Sequence, residues 1–292
     1  MSEKTDSLIS SNGFEYGVKH FYSQKKGYLT EILFSALHNT EDATLELLKL
    51  GAIYVNNSRM TENKIIEENQ LCRVHTKPRR YNCDLNWREL IVFENQDFFV
   101  LNKPSGIPSH PSVDNVIENS LTQLSLATNT PLFITHRLDT LTGGLIIYAK
   151  NAAFVKYFNT QIQNRLVDKK YVALVDCPQN LPRSLIHYME PSPRAPKKLS
   201  AHFVEGWAFC ELEILEQKKL ADRSWVKINL LTGRTHQIRS QLAAMEAPIV
   251  GDTLYGSKIS FTENAIALRA CELQFNWGQQ RMVFNLPEQF EN

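Results

Sequence analysis

The sequence lacks the cysteine patterns of metal-binding and disulfide-rich proteins. It has five cysteines, an odd number, and no two of them form a Cys-x-x-Cys pair. This usage argues against both a disulfide framework and a zinc site, and it is typical of free thiols in a reducing compartment. The five positions are Cys72, Cys83, Cys177, Cys210 and Cys271.

A charge excess of one sign is also missing. Lys and Arg together number 32 against 31 Asp and Glu, so the formal net charge is only +1. Composition therefore gives no sign of a nucleic-acid partner, and any basic surface must come from local clustering. No stretch reaches membrane-spanning length, and the polar N-terminus has no apolar signal core. We expect a cytoplasmic, soluble protein with no membrane partner.

The length is too great for one minimal domain. With 292 residues, 43% of them hydrophobic, the chain is typical of a globular protein with one large domain and a smaller module. The pattern predicts a flexible tail over residues 1–27, a small module over 28–76, a basic, proline-marked linker over 77–83, and a large domain over 84–292. We find no internal repeat and no low-complexity tract.

The small module shows two helical patterns followed by an extended one. Apolar residues recur at helical spacing over 29–36, and a second run over 45–50 ends at Gly51, which suits a helix C-cap. Residues 52–74 then alternate around an Asn56-Asn57 pair, which tolerates turn geometry. The module is therefore predicted to contain two short helices and a hairpin.

From residue 84 onward, strand patterns dominate. Helical spacing returns over 152–164 and again around Ile238, Leu242 and Met245. The predicted strands cover 91–93, 98–101, 133–135, 145–148, 171–175 and 225–230. Strands and helices without regular alternation predict an α+β fold with a largely antiparallel mixed sheet flanked by helices.

The segment between the strands at 133–135 and 145–148 is polar and rich in glycine. Its sequence is His136-Arg137-Leu138-Asp139-Thr140-Leu141-Thr142-Gly143-Gly144. The paired glycines would allow another backbone or a ligand to approach closely. A single Asp in such a loop is commonly a turn or capping residue. However, Asp139 has an adjacent guanidinium and a second arginine-rich segment downstream, so it is also a candidate functional carboxylate.

The downstream segment, Gly233-Arg234-Thr235-His236-Gln237-Ile238-Arg239, lies where a predicted strand gives way to a helix. Cations in the first turn of a helix oppose its macrodipole, so the two arginines need an anionic partner. An ordinary surface salt bridge would meet that need. In the functional alternative, one arginine pairs with Asp139 while the other contacts a phosphate.

Two further segments complete a set of four in the same order along the chain. The first is Asn102-Lys103-Pro104-Ser105-Gly106-Ile107-Pro108 with His110-Pro111, and the second is Lys170-Tyr171-Val172-Ala173. The segment at 233–239 also continues into Pro248-Ile249-Val250-Gly251-Asp252 and Tyr255-Gly256. Together, over roughly residues 84–286, the four segments resemble the motifs of the RluA type of ribosomal pseudouridine synthases. In one departure, Gly143 stands where that family more often has serine.

The resemblance implies an isomerase that converts specific uridines in structured RNA to pseudouridine. It implies Asp139 as the catalytic carboxylate, which would either attack the anomeric carbon or take a proton from the neighbouring ribose carbon. Arg239 is the first candidate for its guanidinium partner and Arg234 the second. Tyr171 would stack on the uracil, unless it is a core tyrosine on a strand. The reaction needs no metal and no cofactor.

The target base must leave its helical stack to react. Arg137, two residues before Asp139, is a candidate to fill the space that the base vacates, or else it bridges strands. His136, Arg234, His236 and Lys103 are further candidates for RNA contacts. His136 and His236 also invite a metal interpretation together with Asp139, although hydrogen-bonded loop histidines are more common. We expect a monomer.

The run from Leu45 to His75 resembles a small RNA-binding module shared with a protein of the small ribosomal subunit. Residues 1–80 contain 11 Lys and Arg against 10 Asp and Glu, so attraction for phosphate is weak there. A packing module without RNA contacts is the alternative. The module favours ribosomal RNA as the target, and the near-neutral charge leaves transfer RNA open.

Two other functions compete with the isomerase. One is a catalytically silent RNA-binding protein on the same scaffold, which would be free to lose Asp139, Tyr171 and Arg239. The other is a hydrolase that cleaves glycosidic bonds with a pair of carboxylates. It needs a second acid near Asp139, and the candidate, Asp252, is interpreted as a structural turn residue.

Overall fold

The computed structural model describes residues 17–177, 179–220 and 222–290. They form two compact units. Unit 1 comprises the chain up to Cys83 together with His110–Gln123, and unit 2 comprises Asp84–Ser109 and the chain from Leu124 onward. Within the described ranges, no helix is both long and apolar enough to cross a bilayer.

Over residues 17–83, the described part of unit 1 contains two helices and six short strands. They are β1 (Val18–Tyr22), β2 (Gly27–Tyr28), α1 (Leu29–Leu37), α2 (Glu41–Lys49), β3 (Ile53–Val55), β4 (Ser58–Met60), β5 (Ile65–Ile66) and β6 (Leu71–His75). Four strands form an antiparallel sheet in the order β1-β6-β3-β4. β2 pairs with β5 in a separate two-stranded sheet.

The helices and hairpin predicted for the small module are confirmed. α1 buries the apolar stripe Leu29, Ile32, Leu33 and Leu37. After α2, Gly51 adopts a left-handed φ of +64°, which ends the helix at low steric cost because glycine has no Cβ. Asn56 and Asn57, with φ of 48° and 65°, form the turn that joins β3 to β4.

The predicted tail over residues 1–27 is wrong in its second part. Residues 1–16 lie outside the described part of the chain, but Val18–Tyr22 is a strand. It pairs with β6 from Val18 opposite His75 to Tyr22 opposite Leu71. The strand depends on a partner some fifty residues away, so a local pattern could not predict it. The other predicted boundaries, 28–76 and 77–83, stay predictions.

The segment 110–123 groups with unit 1, although it lies inside the predicted large domain. Asp114 accepts three hydrogen bonds from Arg79, from the backbone N–H at 2.9 Å and from Nε and Nη2 at 3.0 and 2.8 Å. Glu118 accepts three from Arg80, from Nε at 2.9 Å to Oε1 and 3.1 Å to Oε2, and from Nη2 at 2.6 Å to Oε1. These ion pairs attach the predicted linker to residues 110–118.

Unit 2 is built around one large sheet with helices against it. Its strands are β7 (Ile91–Glu94), β8 (Phe98–Lys103), β9 (Phe133–Ile134), β10 (Gly143–Ala149), β11 (Asp168–Val175), β12 (Ser184–Met189), β13 (Leu199–Ser200), β14 (Ala208–Lys219), β15 (Ser224–Leu230), β16 (Leu268–Trp277) and β17 (Gln280–Asn285). The helices are α3 (Ser120–Thr128), which begins in unit 1, α4 (Ala152–Gln163) and α5 (Gln237–Ala244), and Thr253–Tyr255 forms a short 3-10 helix.

The sheet order is β13-β12-β14-β15-β11-β16-β10-β8-β7, with β17 on β16 and β9 on β10. Among the described strands of this sheet, β10 and β16 form the single parallel pair, and the other pairs are antiparallel. The predicted α+β class with a largely antiparallel mixed sheet is confirmed.

The hydrophobic core of unit 2 lies where α4 packs on the central strands. Asn151 caps the helix by accepting a hydrogen bond from the N–H of Phe154 at 2.9 Å. Phe154 and Phe158, one helical turn apart, are fully buried, and Phe154 stacks on Phe98 of β8 with ring centroids 4.5 Å apart. This packing supports β8 and its neighbour β10, the strand into which the loop that carries Asp139 leads.

Candidate active site

The loop from His136 to Gly144 enters β10 through a position that only glycine can occupy. Gly144 has a φ of +110°, and a Cβ placed on it would lie 2.2 Å from the carbonyl oxygen of Ala270 in β16. The predicted close backbone approach at the paired glycines is thus confirmed. A Cβ on Gly143 would lie 2.9 Å from Oγ of Ser105, so the Ser105 hydroxyl crowds the place where the family more often has a serine.

Hydrogen bonds from three directions hold this loop. Ser109, which is buried, donates its hydroxyl to the carbonyl oxygen of Leu138 at 2.7 Å and accepts the N–H of Leu138 at 3.0 Å. The hydroxyl of Tyr148 in β10 donates to the carbonyl oxygen of Ser109 at 2.7 Å. The N–H of Gly106 donates to the carbonyl oxygen of Thr140 at 2.8 Å. Asp139 therefore projects from a rigid backbone, and Ser109 is a support that the sequence analysis missed.

The second arginine-rich segment turns into α5 at His236. His236 precedes the helix in a left-handed conformation, with φ of 58°, and Arg239 lies in the first turn. Arg234 comes before the helix, where its backbone N–H donates to Oε1 of Gln237 at 3.0 Å. The conflict with the helix macrodipole thus concerns Arg239 and not, as expected, both arginines.

Arg239 connects two carboxylates. Its Nε and Nη2 donate to Oδ2 and Oδ1 of Asp252 at 2.7 and 2.9 Å, and its Nη1 lies 3.4 Å from Oδ2 of Asp139. The side chains of Arg239 and Asp252 are 4% and 1% exposed, whereas that of Asp139 is 21% exposed. Arg239, the predicted partner of Asp139, is indeed within ion-pair distance of it. The sequence analysis missed its main partner, Asp252, although that residue belongs to the quoted extension of the third motif.

The electrostatics keep Arg239 charged. Burial acts to lower the pKa of Arg239, but the hydrogen bonds and charge of Asp252, together with the charge of Asp139, outweigh it and raise that pKa. Asp252 offsets the buried positive charge through a bidentate pair, which is the strong form of this interaction. Asp139 uses one oxygen at long distance, so its other lone pairs are available to a substrate.

His236 and Tyr255 lie beside the two carboxylates. His236 Nε2 lies 3.8 Å from Oδ2 of Asp139, and its Nδ1 is 3.1 Å from the hydroxyl of Tyr255. Burial lowers the pKa of His236, although the charge of Asp139 acts in the opposite direction. Arg239 lies over the ring of Tyr255, with Cζ 5.0 Å from the centroid. Tyr255, another residue of the quoted third-motif extension, therefore supports both His236 and Arg239.

Tyr171 lies on β11 and is 6% exposed. Burial raises the pKa of its hydroxyl, and the negative charge of Asp139 raises it further, so the hydroxyl is protonated and close enough to sense that carboxylate. Among the described residues, the Tyr171 hydroxyl makes no hydrogen bond. The tyrosine is thus buried on a strand, as in the structural alternative, while its hydroxyl has no partner within the described chain.

The prediction that Lys103 contacts RNA is wrong. Its side chain is 1% exposed, and Nζ donates to the carbonyl oxygens of Pro104 and Ile107, both at 2.7 Å, and of Thr140 at 3.4 Å. A buried ammonium with these partners cannot reach an RNA phosphate. Burial lowers its pKa to about 7, against the raising effect of the charge of Asp139.

His136 has a structural environment. Its Nε2 accepts the backbone N–H of Ile147 at 3.1 Å, and its ring lies against Phe158. Burial and the charge of Lys169 lower the pKa of His136 to about 3, so the imidazole is neutral. Across the described chain, no group of three or more His, Cys, Asp or Glu is arranged to hold a metal ion. Arg137 is exposed and lies 3.5 Å from the hydroxyl of Thr235, which links the two motif loops.

Comparison with known proteins identifies the family. The model of the RNA pseudouridylate synthase family matches residues 97–244, just over half of the 292-residue chain. RNA pseudouridine synthase 6, chloroplastic, from Arabidopsis thaliana is 36% identical over 219 residues, which are 66% of this chain and 46% of that relative. Ribosomal large subunit pseudouridine synthase C from Buchnera aphidicola is 28% identical over 231 residues, 73% of this chain and 71% of the relative.

A solved structure supports the fold. Human RNA pseudouridylate synthase domain containing 4 superimposes with a TM-score of 0.55 at 20% identity, covering 69% of this chain and 89% of that one. The matched region also spans under half the length of the Arabidopsis relative. Because the family model spans 97–244, the match includes both the Asp139 loop and α5. The chain belongs to the RNA pseudouridylate synthase family, whose members isomerise uridine to pseudouridine in RNA.

Proposed function

We propose that this protein isomerises uridine to pseudouridine in structured RNA, with Asp139 as its catalytic carboxylate. One observation carries the proposal. Asp139 is a partly exposed carboxylate held by a guanidinium that is itself fixed by a second, fully buried carboxylate. This arrangement places a carboxylate oxygen beside a fixed positive charge, 3.4 Å from Nη1 of Arg239, in a site that an RNA would cover.

The reaction conserves the atoms of the nucleotide. The bond from uracil N1 to the anomeric carbon breaks, the base turns over, a bond from C5 to that carbon forms, and the C5 proton is lost while N1 gains one. Asp139 either attacks the anomeric carbon or removes a proton from the neighbouring ribose carbon. Both routes require a carboxylate with a free lone pair beside the sugar, which the single long contact from Arg239 leaves in place.

Tyr171 and Arg137 complete the proposed site. Tyr171 would stack on the uracil and offer a neutral hydroxyl, a role supported by its raised pKa and its hydroxyl without a partner among the described residues. The target uridine would be flipped out of its stack, since the reacting atoms are inaccessible inside a helix. Arg137, exposed and next to the loop, would occupy the vacated space. Arg234 and His236 remain proposed RNA contacts.

We further propose that unit 1 is the small RNA-binding module that its sequence resembles. One face of its sheet carries the cross-strand row His20, Arg73, Tyr54 and Arg59. Both arginines lie over the Tyr54 ring, with Cζ 4.1 and 4.9 Å from its centroid. His20 Nδ1, Arg73 Nε and His75 Nε2 are buried atoms without a hydrogen-bond partner. The support for RNA binding is therefore the positive charge of Arg59 and Arg73 on this face, since phosphates are bound by such charges.

Ribosomal RNA is the favoured target and transfer RNA the alternative. The name of the Buchnera relative refers to the ribosomal large subunit, which supports the first. The near-neutral net charge offers no further preference. Cytoplasmic location, a monomeric state and independence from metals and cofactors remain predictions from the sequence.

The competing functions are less consistent with the site. A silent RNA-binding protein has no need for Asp139, Tyr171 and Arg239 to be held close together. A hydrolase needs a second carboxyl group as a proton donor, and the nearby Asp252 is fully buried with both oxygens accepting from Arg239. Release of free uracil would reveal a hydrolase directly.

Pseudouridine mapping of total RNA tests the proposal. RNA from cells with and without the protein would be compared, and the deficient cells complemented with wild type, Asp139→Asn or the surface control Asp222→Asn. We expect defined sites to disappear with the protein and to return with wild type and the control, but not with Asp139→Asn. Unchanged sites in the deficient cells would contradict the isomerase function, and restoration by Asp139→Asn would remove Asp139 from the chemistry.

A further inference from the structure

Lys169 lies two residues before Tyr171 on β11. The pairing of β11 with β15 continues without interruption from Lys170 to Val175. The irregularity on the other side falls on β16, because Lys170 is opposite Glu272 and Tyr171 opposite Ala270, which leaves Cys271 as the extra residue. β11 therefore alternates regularly, and Lys169 projects from the same face of the sheet as Tyr171.

The ammonium of Lys169 reaches the glycine that opens the second motif loop. A Cβ placed on Gly233 would lie 3.1 Å from Nζ of Lys169, and no other heavy atom of the described residues would come within 4 Å of it. Gly233 does not adopt a left-handed φ, so its backbone does not require glycine. Apart from its chain neighbours, the Lys169 ammonium is thus the group that a side chain at this position would meet.

Lys169 also lies close to the other motif loop. Its charge contributes to the lowered pKa of His136, which is three residues before Asp139. Burial lowers the pKa of Lys169 itself. The ammonium is thus partly desolvated between the loop at 136–144 and the segment at 233–239.

Neighbouring lysines on this sheet have acidic partners and Lys169 does not. Lys170 Nζ lies 2.6 Å from Glu272, and Lys227 Nζ lies 2.5 Å from Glu288. Among the described residues, the Lys169 side chain makes no hydrogen bond and no carboxylate lies within ion-pair distance of its ammonium. A partly buried cation without a counter-charge destabilises a fold. Its presence at this position indicates that a negative charge arrives from outside the protein.

We propose that Lys169 binds a backbone phosphate of the RNA next to the target uridine. The phosphate would approach the ammonium past Gly233, which has no side chain to block it. This inference rests on the proposed function, because it takes RNA as the ligand. A phosphodiester suits the site because its charge balances the ammonium, and the absence of a side chain at Gly233 lets the nucleotide backbone come close. Lys169 is a binding and positioning residue, separate from the chemistry at Asp139.

Salt-dependent binding separates this role from a structural one. The probe is ribosomal RNA isolated from cells that lack the protein, and the proteins are wild type, Lys169→Met and the matched control Lys170→Met. Loss of one phosphate contact should reduce the slope of log K against log salt concentration by about 0.7 to 0.9 for Lys169→Met. Lys170→Met should keep the wild-type slope, because Lys170 is already paired with Glu272.

Thermal stability gives an independent readout. Lys169→Met should melt at or above the wild-type temperature, because the substitution removes an uncompensated partly buried charge from the free protein. A lysine with a structural role would give the opposite result, a lower melting temperature. Gly233→Ala, which keeps the charge but presses a methyl group on Nζ, should weaken RNA binding without changing the slope as much as Lys169→Met.

The outcomes distinguish the two proposals. A Lys169→Met slope equal to that of wild type, or a melting temperature that falls clearly below that of wild type, would overturn the role of Lys169. That result would leave the isomerase function intact if Asp139-dependent pseudouridines are still found. Conversely, a reduced slope with no pseudouridine formed by the wild type would retain the phosphate site and reject the isomerase.

Discussion

Bidentate pairs of arginine and carboxylate occur in both units. They differ in whether the arginine also contacts a carboxylate that has oxygen lone pairs left for a substrate. In unit 1, Arg79 holds Asp114 through three hydrogen bonds, and the arginine side chain is 61% exposed. In unit 2, Arg239 is 4% exposed and holds Asp252 through two hydrogen bonds, and it also lies 3.4 Å from Asp139. The first arrangement is complete, whereas the second includes a carboxylate that is only partly satisfied.

This difference separates a structural clip from a functional site. The oxygens of Asp114 are occupied by Arg79 and by the hydroxyl of Ser112, so this pair fastens residues 77–81 to 110–118. Asp139 has one long contact to Arg239 and is 21% exposed. A carboxylate that is held in place, but whose oxygens do not all accept hydrogen bonds from the protein, can act on a substrate. The following substitutions test that distinction.

The largest effect is expected at Asp139. Asp139→Asn should lower the rate of pseudouridine formation about 10⁴-fold, the order of magnitude for loss of a catalytic group. An asparagine keeps an oxygen near Nη1 of Arg239, so the free energy of unfolding should change by less than about 1 kcal/mol. Single-turnover assays and urea denaturation measure the two quantities. A destabilised variant with a normal rate would assign Asp139 to the scaffold.

Asp252→Asn should lower the free energy of unfolding much more than Asp139→Asn does. Removing one charge of a buried pair leaves Arg239 with only the long contact to Asp139, which costs about 3–5 kcal/mol. Urea denaturation should therefore show a much lower midpoint than for Asp139→Asn, even though both residues contact the same guanidinium. Equal midpoints for the two variants would contradict the proposal that Asp252 has a structural role and Asp139 a catalytic one.

Lys103 extends the comparison to a buried charge with no bidentate partner. Burial lowers its pKa to about 7 against an ordinary 10.5, while the charge of Asp139 raises it. Between these values the unfolded chain binds more protons, so stability should rise with pH, and below about 7 the full cost of the buried charge should be present. Relative to Lys103→Met, the wild-type free energy of unfolding should rise by about 1 kcal/mol per unit from pH 7 to 10. Parallel curves, as we expect for Lys198→Met at an exposed site, would contradict this.

The sequence predicted the local elements better than the contacts that assemble the site. α4 over Ala152–Gln163 and the hairpin of β7 and β8 follow from the spacing of their own apolar residues. The partnership of Arg239 with Asp139 came from family motifs, since no spacing rule joins residues one hundred positions apart. The local sequence around Asp252 predicts a turn, and only the tertiary structure shows its carboxylate paired with Arg239.

Burial likewise could not be inferred from residue type. Lys103 is predicted to contact RNA, yet three carbonyl oxygens surround its buried ammonium. Val18–Tyr22 appeared to be part of a polar tail, but β6 pairs with it. In both cases the deciding partner comes from a separate segment of the chain, which a window of local sequence does not include.

The smallest effect is expected at the clip in unit 1. Asp114→Asn keeps one acceptor oxygen for Arg79 and removes a charge whose partner is mostly exposed, so the loss should be about 1 kcal/mol. Because residues 77–81 and 110–118 would be held less firmly, amide hydrogen exchange there should accelerate while that of α5 stays as in wild type. RNA isomerisation should continue at the wild-type rate if the clip has no part in the chemistry. A loss of rate comparable to that of Asp139→Asn would instead mean that Asp114, although fully hydrogen-bonded, is needed for the reaction as well as Asp139.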